Sequence, residues 1–89
     1  MFRVDWLQTA LDQLTTIWMQ ADSALRQAIT SASHQIEQRL RSDPLAQGES
    51  RSEGRRILLI SPLGILFRLE ADGQTVSIMR VWVFHKRKP

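Results

Sequence analysis

There is no cysteine in the chain, which excludes a disulfide framework and a thiolate metal site and fits a reducing cytoplasm. Although 43% of the residues are apolar, no apolar run approaches the ~18–20 residues that span a bilayer. The opening stretch, MFRVDWLQTALDQL, carries Asp5 and Asp12 within its apolar residues and has no small-residue cleavage site, so it does not read as a secretory signal. No Gly-rich loop follows a strand, and neither repeats nor low-complexity segments occur. The two histidines, His34 and His85, are far apart and have no converging acids, which leaves no usual metal-ligand set. No metal or cofactor is therefore expected. The 89 residues make a single domain, 1–89. A domain of this size buries roughly 60–65% of its unfolded surface, and a partner would help to stabilise it.

Charge is unevenly distributed. Through residue 50 the basic residues Arg3, Arg26, Arg39 and Arg41 face Asp5, Asp12, Asp22, Glu37, Asp43 and Glu49, a balance of −2. From residue 51 onward Arg51, Arg55, Arg56, Arg68, Arg80, Lys86, Arg87 and Lys88 face Glu53, Glu70 and Asp72, a balance of +5. A basic half on a neutral-to-acidic scaffold suits an anionic partner such as nucleic acid, the ribosome or an acidic protein. The same balance also suits a plain, solvated surface.

Hydrophobic periodicity gives an α+β order. Phe2 and Val4 alternate with Arg3 and Asp5, which predicts a brief strand over 1–5. Leu7, Leu11, Leu14 and Trp18, widened by Ala10, Ile17 and Ala21, recur at helical spacing and predict an amphipathic helix from Trp6 to about Ala21 with that stripe in the core. Asp22 or Ser23 can cap a second helix whose apolar stripe is Leu25, Ala28, Ile29, Ala32, Ile36 and Leu40. Asp43-Pro44 ends it, and the short connection makes the two helices an antiparallel hairpin. Residues 45–56, LAQGESRSEGRR, have little to bury and predict a surface loop. A three-stranded antiparallel meander follows. Ile57–Ile60 is a buried strand, and Ile65, Phe67 and Leu69 mark the greasy face of a second. Asp72-Gly73 predicts a type I′ hairpin turn, and the last strand runs from Thr75 to about His85. Its alternation breaks at Met79-Arg80, through burial on both sides or a bulge. The tail from Lys86 should fray.

The order strand, helix, helix, meander resembles the RelE/ParE superfamily of bacterial toxin–antitoxin toxins. Val4, Trp6, Ala10, Leu14, Ile17 and Trp18 look like its opening strand and first helix. Leu40, Pro44 and Gly48 fall where the family's variable loop begins. Arg56-Ile57-Leu58-Leu59 with Pro62–Leu69 looks like its central hairpin, and Ile78–Trp82 with Lys86-Arg87 like its closing strand. The resemblance implies a growth-inhibiting toxin held by a cognate antitoxin. The mode it implies is ribosome-dependent cleavage of mRNA by a metal-independent endoribonuclease, with non-catalytic inhibition of DNA gyrase, as in ParE-like members, as the alternative. A degenerate toxin that only binds its antitoxin is a weaker form of that alternative. Many members carry a Tyr-Arg pair where this chain has Leu63-Gly64, and in the mRNA-cleaving branch that arginine stabilises the reacting phosphate. Gly64 cannot. Arg68, four residues further along on the same strand face and ~13 Å away, is the candidate substitute.

Attack of a ribose 2′-hydroxyl on phosphate needs a proton acceptor, a proton donor and cations. The candidate catalytic residues are Arg68, Arg80, His85 and Glu49. His85 is placed by its ordinary pKa near neutrality, and Glu49 by likeness to a loop glutamate in some family nucleases. Candidate nucleic-acid contacts are Arg51, Arg55, Arg56, Lys86 and Arg87, which would grip phosphate without reading sequence. Trp82 and Phe84 can stack on bases or pack in a core or interface. His34 reads as surface.

Overall fold

The computed structural model describes residues 1–84. Strand β1 (Arg3–Trp6) leads to helix α1 (Gln8–Gln20) and helix α2 (Ser23–Ser42). A 3-10 turn (Pro44–Ala46) and the two-residue strand β2 (Glu49–Ser50) follow, then a second 3-10 turn (Ser52–Gly54). Strands β3 (Arg55–Ile60), β4 (Leu63–Leu69) and β5 (Thr75–Val83) complete the fold. The sheet order is β1-β5-β4-β3-β2. The β2–β5 neighbours are antiparallel, while β1 lies parallel to β5 and makes the sheet mixed. A parallel neighbour is possible because the whole helical hairpin separates β1 from the rest of the sheet, giving the chain length to return in the same direction.

The two helices cover one face of the sheet. Asp22 caps α2, its side chain accepting from the Leu25 N–H at 2.8 Å. Four residues of the predicted α2 stripe, Ile29, Ala32, Ile36 and Leu40, are buried against Leu58, Leu63, Ile65, Phe67, Val76, Ile78 and Val81. Ala28 of that stripe is exposed. The α1 stripe is met in part: Ala10 is buried and Leu14, Ile17 and Ala21 are half-buried against the core. Leu7, Leu11 and Trp18 are 41%, 40% and 39% exposed. A small residue at the contact lets α1 sit close to β5, and Trp18 borders the groove between the helices. Helix α1 begins at Gln8 rather than Trp6, because Trp6 still pairs with Ile78 in the ladder and donates its indole N–H to Glu37 Oε1 of α2 at 2.9 Å.

The segment 45–56 is more ordered than its composition suggests. Gly48 has φ +66°, and a Cβ there would lie 2.1 Å from the Ile57 carbonyl oxygen, so only glycine lets the backbone descend onto β3. Arg56 fixes the descent, donating from Nε to the Gln47 carbonyl at 2.8 Å and from Nη2 to the Gly48 carbonyl at 3.2 Å. Strand β3 accordingly begins at Arg55.

The β4–β5 turn is not type I′: Gly73 alone of the central pair has positive φ, at 71°. The Asp72 carboxylate organises the turn instead, accepting from the Gln74 N–H, the Thr75 N–H and the Thr75 hydroxyl at 2.8, 2.8 and 2.7 Å. The expected irregularity in β5 is a bulge. Leu66 pairs with Arg80 and Phe67 with Ile78, leaving Met79 as the extra residue. The bulge decides which side chains reach the core: it carries Val81 inward and turns Arg80 to solvent. Among the described residues, no helix is long and apolar enough to cross a membrane.

Candidate functional site on the open sheet face

Because side chains alternate along a strand, the ladder register assigns every strand residue to the helix side or to the open side. Leu63, Ile65, Phe67, Val76, Ile78 and Val81 lie on the helix side. The open side reads as cross-strand rows. Asp5 pairs with Ser77, Ser77 with Arg68 and Arg68 with Arg55. In the next row Arg80 pairs with Leu66, Leu66 with Ile57 and Ile57 with Glu49. The third row is Trp82, Gly64 and Leu59. Directly opposed residues are ~4.5–5.5 Å apart at Cα, so Arg55, Arg68, Arg80 and Glu49 share one surface with Trp82 at its end.

Most charges on that surface are already matched. Arg68 Nε donates to Glu70 Oε1 at 2.6 Å, Arg51 lies 3.2 Å from Glu49, Arg55 3.9 Å from Glu53 and Arg3 3.8 Å from Asp5. Arg55 also donates to the Ser52 carbonyl and hydroxyl at 3.2 and 3.1 Å. Among the described residues, the Arg80 guanidinium has no ion-pair or hydrogen-bond partner. Glu49 and Arg51 wall a depression of about 240 Å³ with Ile57 and Leu59, away from Arg80 across the row.

At Gly64 an added Cβ would lie 2.5 Å from Trp82 Cε2 and 2.5 Å from Nε1. The indole rests on the glycine backbone, an aromatic covering a cross-strand glycine. The position where the resemblance expects an arginine is therefore occupied from the neighbouring strand by Trp82, and Gly64 is buried beneath it. Beside it, Leu59 is 54% exposed, and Leu66 and Ile57 are partly exposed. The middle of the open face is thus apolar.

The register brings together Arg55, Arg68, Arg80 and Glu49, with Arg51 at the edge. Arg56 is elsewhere, on the helix side opposite Phe67, and is spent on the 47–48 carbonyls. His85, Lys86 and Arg87 lie outside the described residues. His34 is exposed on α2, as expected, and borders a groove of about 410 Å³ with Leu14, Trp18, Ile29 and Thr30. The Arg26 guanidinium sits 5.3 Å from the Trp18 ring centroid near that groove. The pairing of Gly64 with Trp82 has one signal in the sequence, a lone glycine in a strand pattern with a tryptophan on the next strand.

No family model matches the sequence, and no curated protein matches it. Solved structures do. A chain of the chromosomal ParDE TA system from P. aeruginosa superposes with TM-score 0.74 at 19% identity, over 96% of this chain and 98% of that one. A chain of the toxin–antitoxin complex RelBE2 from Mycobacterium tuberculosis gives TM-score 0.71 at 21% identity, over 93% and 91%. The isolated E. coli RelE toxin gives 0.65 at 13% identity, over 99% and 89%. The element order, the mixed five-stranded sheet and these superpositions agree: the chain has the fold of the RelE/ParE superfamily of toxins.

Proposed function

We propose that this chain is the toxin of a toxin–antitoxin module and that it inhibits growth by binding a protein target, with DNA gyrase as that target in the ParE-like reading. The toxin assignment is supported by fold similarity to chains of ParDE and RelBE2 systems and to RelE. One observation carries the choice of mode: Trp82 covers Gly64 where a phosphate-stabilising cation would be needed. Arg68 is a poor substitute, since its guanidinium is engaged by Glu70 at 2.6 Å. A phosphate would have to displace that carboxylate, and transition-state stabilisation depends on donors preorganised toward the developing charge. Arg3, Arg55, Arg68 and Arg80 share the open face with Asp5, Glu49 and Glu70, so little net positive charge is left for a polyanion.

The cognate antitoxin completes the module. Leu7, Leu11 and Trp18 leave an apolar strip along α1, and the groove between α1 and α2 suits an amphipathic helix. The test is induction of the chain in cells, followed by parallel measurement of protein synthesis, mRNA integrity and plasmid supercoiling. Growth arrest with continuing translation and loss of gyrase supercoiling is expected. Rapid fragmentation of mRNA with supercoiling intact would replace this reading with the endoribonuclease, in which Arg68, Arg80, His85 and Glu49 do the chemistry.

A further inference from the structure

The geometry points to the third and second open-face rows, Trp82 with Leu59 and Leu66 beside Arg80, as the docking surface for the target protein, which presents an apolar side chain next to a carboxylate. This rests on the protein-binding mode proposed above and assigns its contacts.

Three features carry it. The first is the Trp82 seat. Position 64 has no side chain, and any Cβ there would run into the indole, so the ring lies against backbone and cannot settle deeper. A tryptophan held flat with limited freedom loses little entropy when a partner covers it. Tryptophan and arginine dominate the few residues that carry most of an interface's binding energy. The second is composition. Around Trp82 the central residues Leu59, Leu66 and Ile57 are apolar and at least partly exposed, while the charged pairs Arg68–Glu70 and Arg51–Glu49 lie to either side. An apolar centre with a charged rim is how protein interfaces are built.

The third is charge, which selects the partner. Arg80 is the one open-face arginine without an acidic partner among the described residues, and it sits one row from Trp82 and directly across from Leu66. A single uncompensated cation beside an apolar patch complements one carboxylate next to an apolar group. A nucleic acid strand would instead need several uncompensated cations to follow its phosphates, and the other arginines here are already paired. The bulge at Met79 creates this arrangement, since without it Arg80 would point toward the helices and Trp82 would not lie over Gly64.

The test uses the full chain with Leu59→Asp and Arg80→Glu, two exposed positions where folding should survive, and Trp82→Phe as a milder third. Each is expressed at matched levels, checked by thermal melting, and scored for growth arrest and for inhibition of purified gyrase. Leu59→Asp and Arg80→Glu should each weaken inhibition at least about tenfold, the loss typical of an interface anchor, with melting temperatures near that of the parent. Trp82→Phe should fall between them and the parent. If the parent inhibits gyrase and the folded variants do so equally, this surface assignment is wrong while the proposed mode stands. If the parent cleaves mRNA and leaves gyrase active, both fall together. Binding of a single-stranded RNA oligonucleotide that is lost with Trp82→Phe and suppressed by salt would also overturn the assignment, because the occupant would then be nucleic acid.

Discussion

The two sides of the same sheet follow opposite rules. The helix side is continuous and apolar: Phe67, Ile65, Leu63, Val76 and Ile78 are fully buried there with Ile36 and Leu40 of α2. The open side interleaves arginines, carboxylates, a bare glycine and a tryptophan laid over it. Stability comes mainly from burying apolar area, so the helix side holds the fold. The open side has few such obligations and can vary with function. Substitutions on the helix side should therefore cost stability, and those on the open side activity.

The largest effect tests the helix side. Phe67 is fully buried at the centre of β4. Phe67→Ala should cost about 3–5 kcal/mol, the range for deleting a core phenylalanine. For a domain this small that is a large part of the ~5–15 kcal/mol total stability of native proteins, and denaturant melts would show it as a marked drop in midpoint. A change below about 1 kcal/mol would mean that the two sides do not divide the work in this way.

The next effect probes the one place on the open side where packing is tight. Gly64→Ala puts a methyl group 2.5 Å from indole atoms of Trp82 and should cost about 1–3 kcal/mol by overpacking. Combining it with Trp82→Ala should recover part of that cost, because the clash needs both residues. A double-mutant cycle read by chemical melts would report a coupling above about 0.5 kcal/mol. Additive losses would mean that the indole does not rest on Gly64.

Local pattern reveals the helix side far better than the open side. The α2 stripe and the alternation of Ile65, Phe67 and Leu69 predict which residues meet, because burial imposes periods of 3.6 and 2. Helix α1 keeps Ala10, Leu14, Ile17 and Ala21 of its pattern against the core, while Leu7, Leu11 and Trp18 share the spacing but lie largely outside the contact. Spacing reports a face and says nothing of how near that face can come. The 45–56 segment hides its strand because two residues carry no period, and its order depends on Gly48 and the side-chain bonds of Arg56. On the open face, the arginines are legible as residues but their pairing is not. Whether Arg68 meets phosphate or Glu70 depends on two side chains sharing one strand face, which charge counting from residue 51 onward ignores. The bulge at Met79 is visible as a broken alternation, yet its consequence, Arg80 outward and Trp82 over Gly64, needs the register.

The smallest expected effect lies at the end of the open face and depends on pH. Asp72 closes the β4–β5 turn, and its carboxyl is held below the ordinary value of 3.8 chiefly by the Gln74 N–H, then by the Thr75 hydroxyl and N–H. Those donors, present in the folded state and lost in the unfolded chain, favour the ionised form. A carboxyl with a depressed folded pKa adds stability that is fully present above its unfolded value and disappears as pH falls through its folded value. Asp72→Asn should therefore lower the melting temperature at neutral pH by less than Gly64→Ala does. The gap between parent and variant should narrow as pH drops below about 4. Because the Thr75 hydroxyl ties this carboxylate to the row containing Arg3, the turn anchors the open face without contributing to the core. A gap that stays constant from neutral pH down to pH 3 would show that the carboxylate's charge does not hold the turn, leaving its shape and Gly73 to do so.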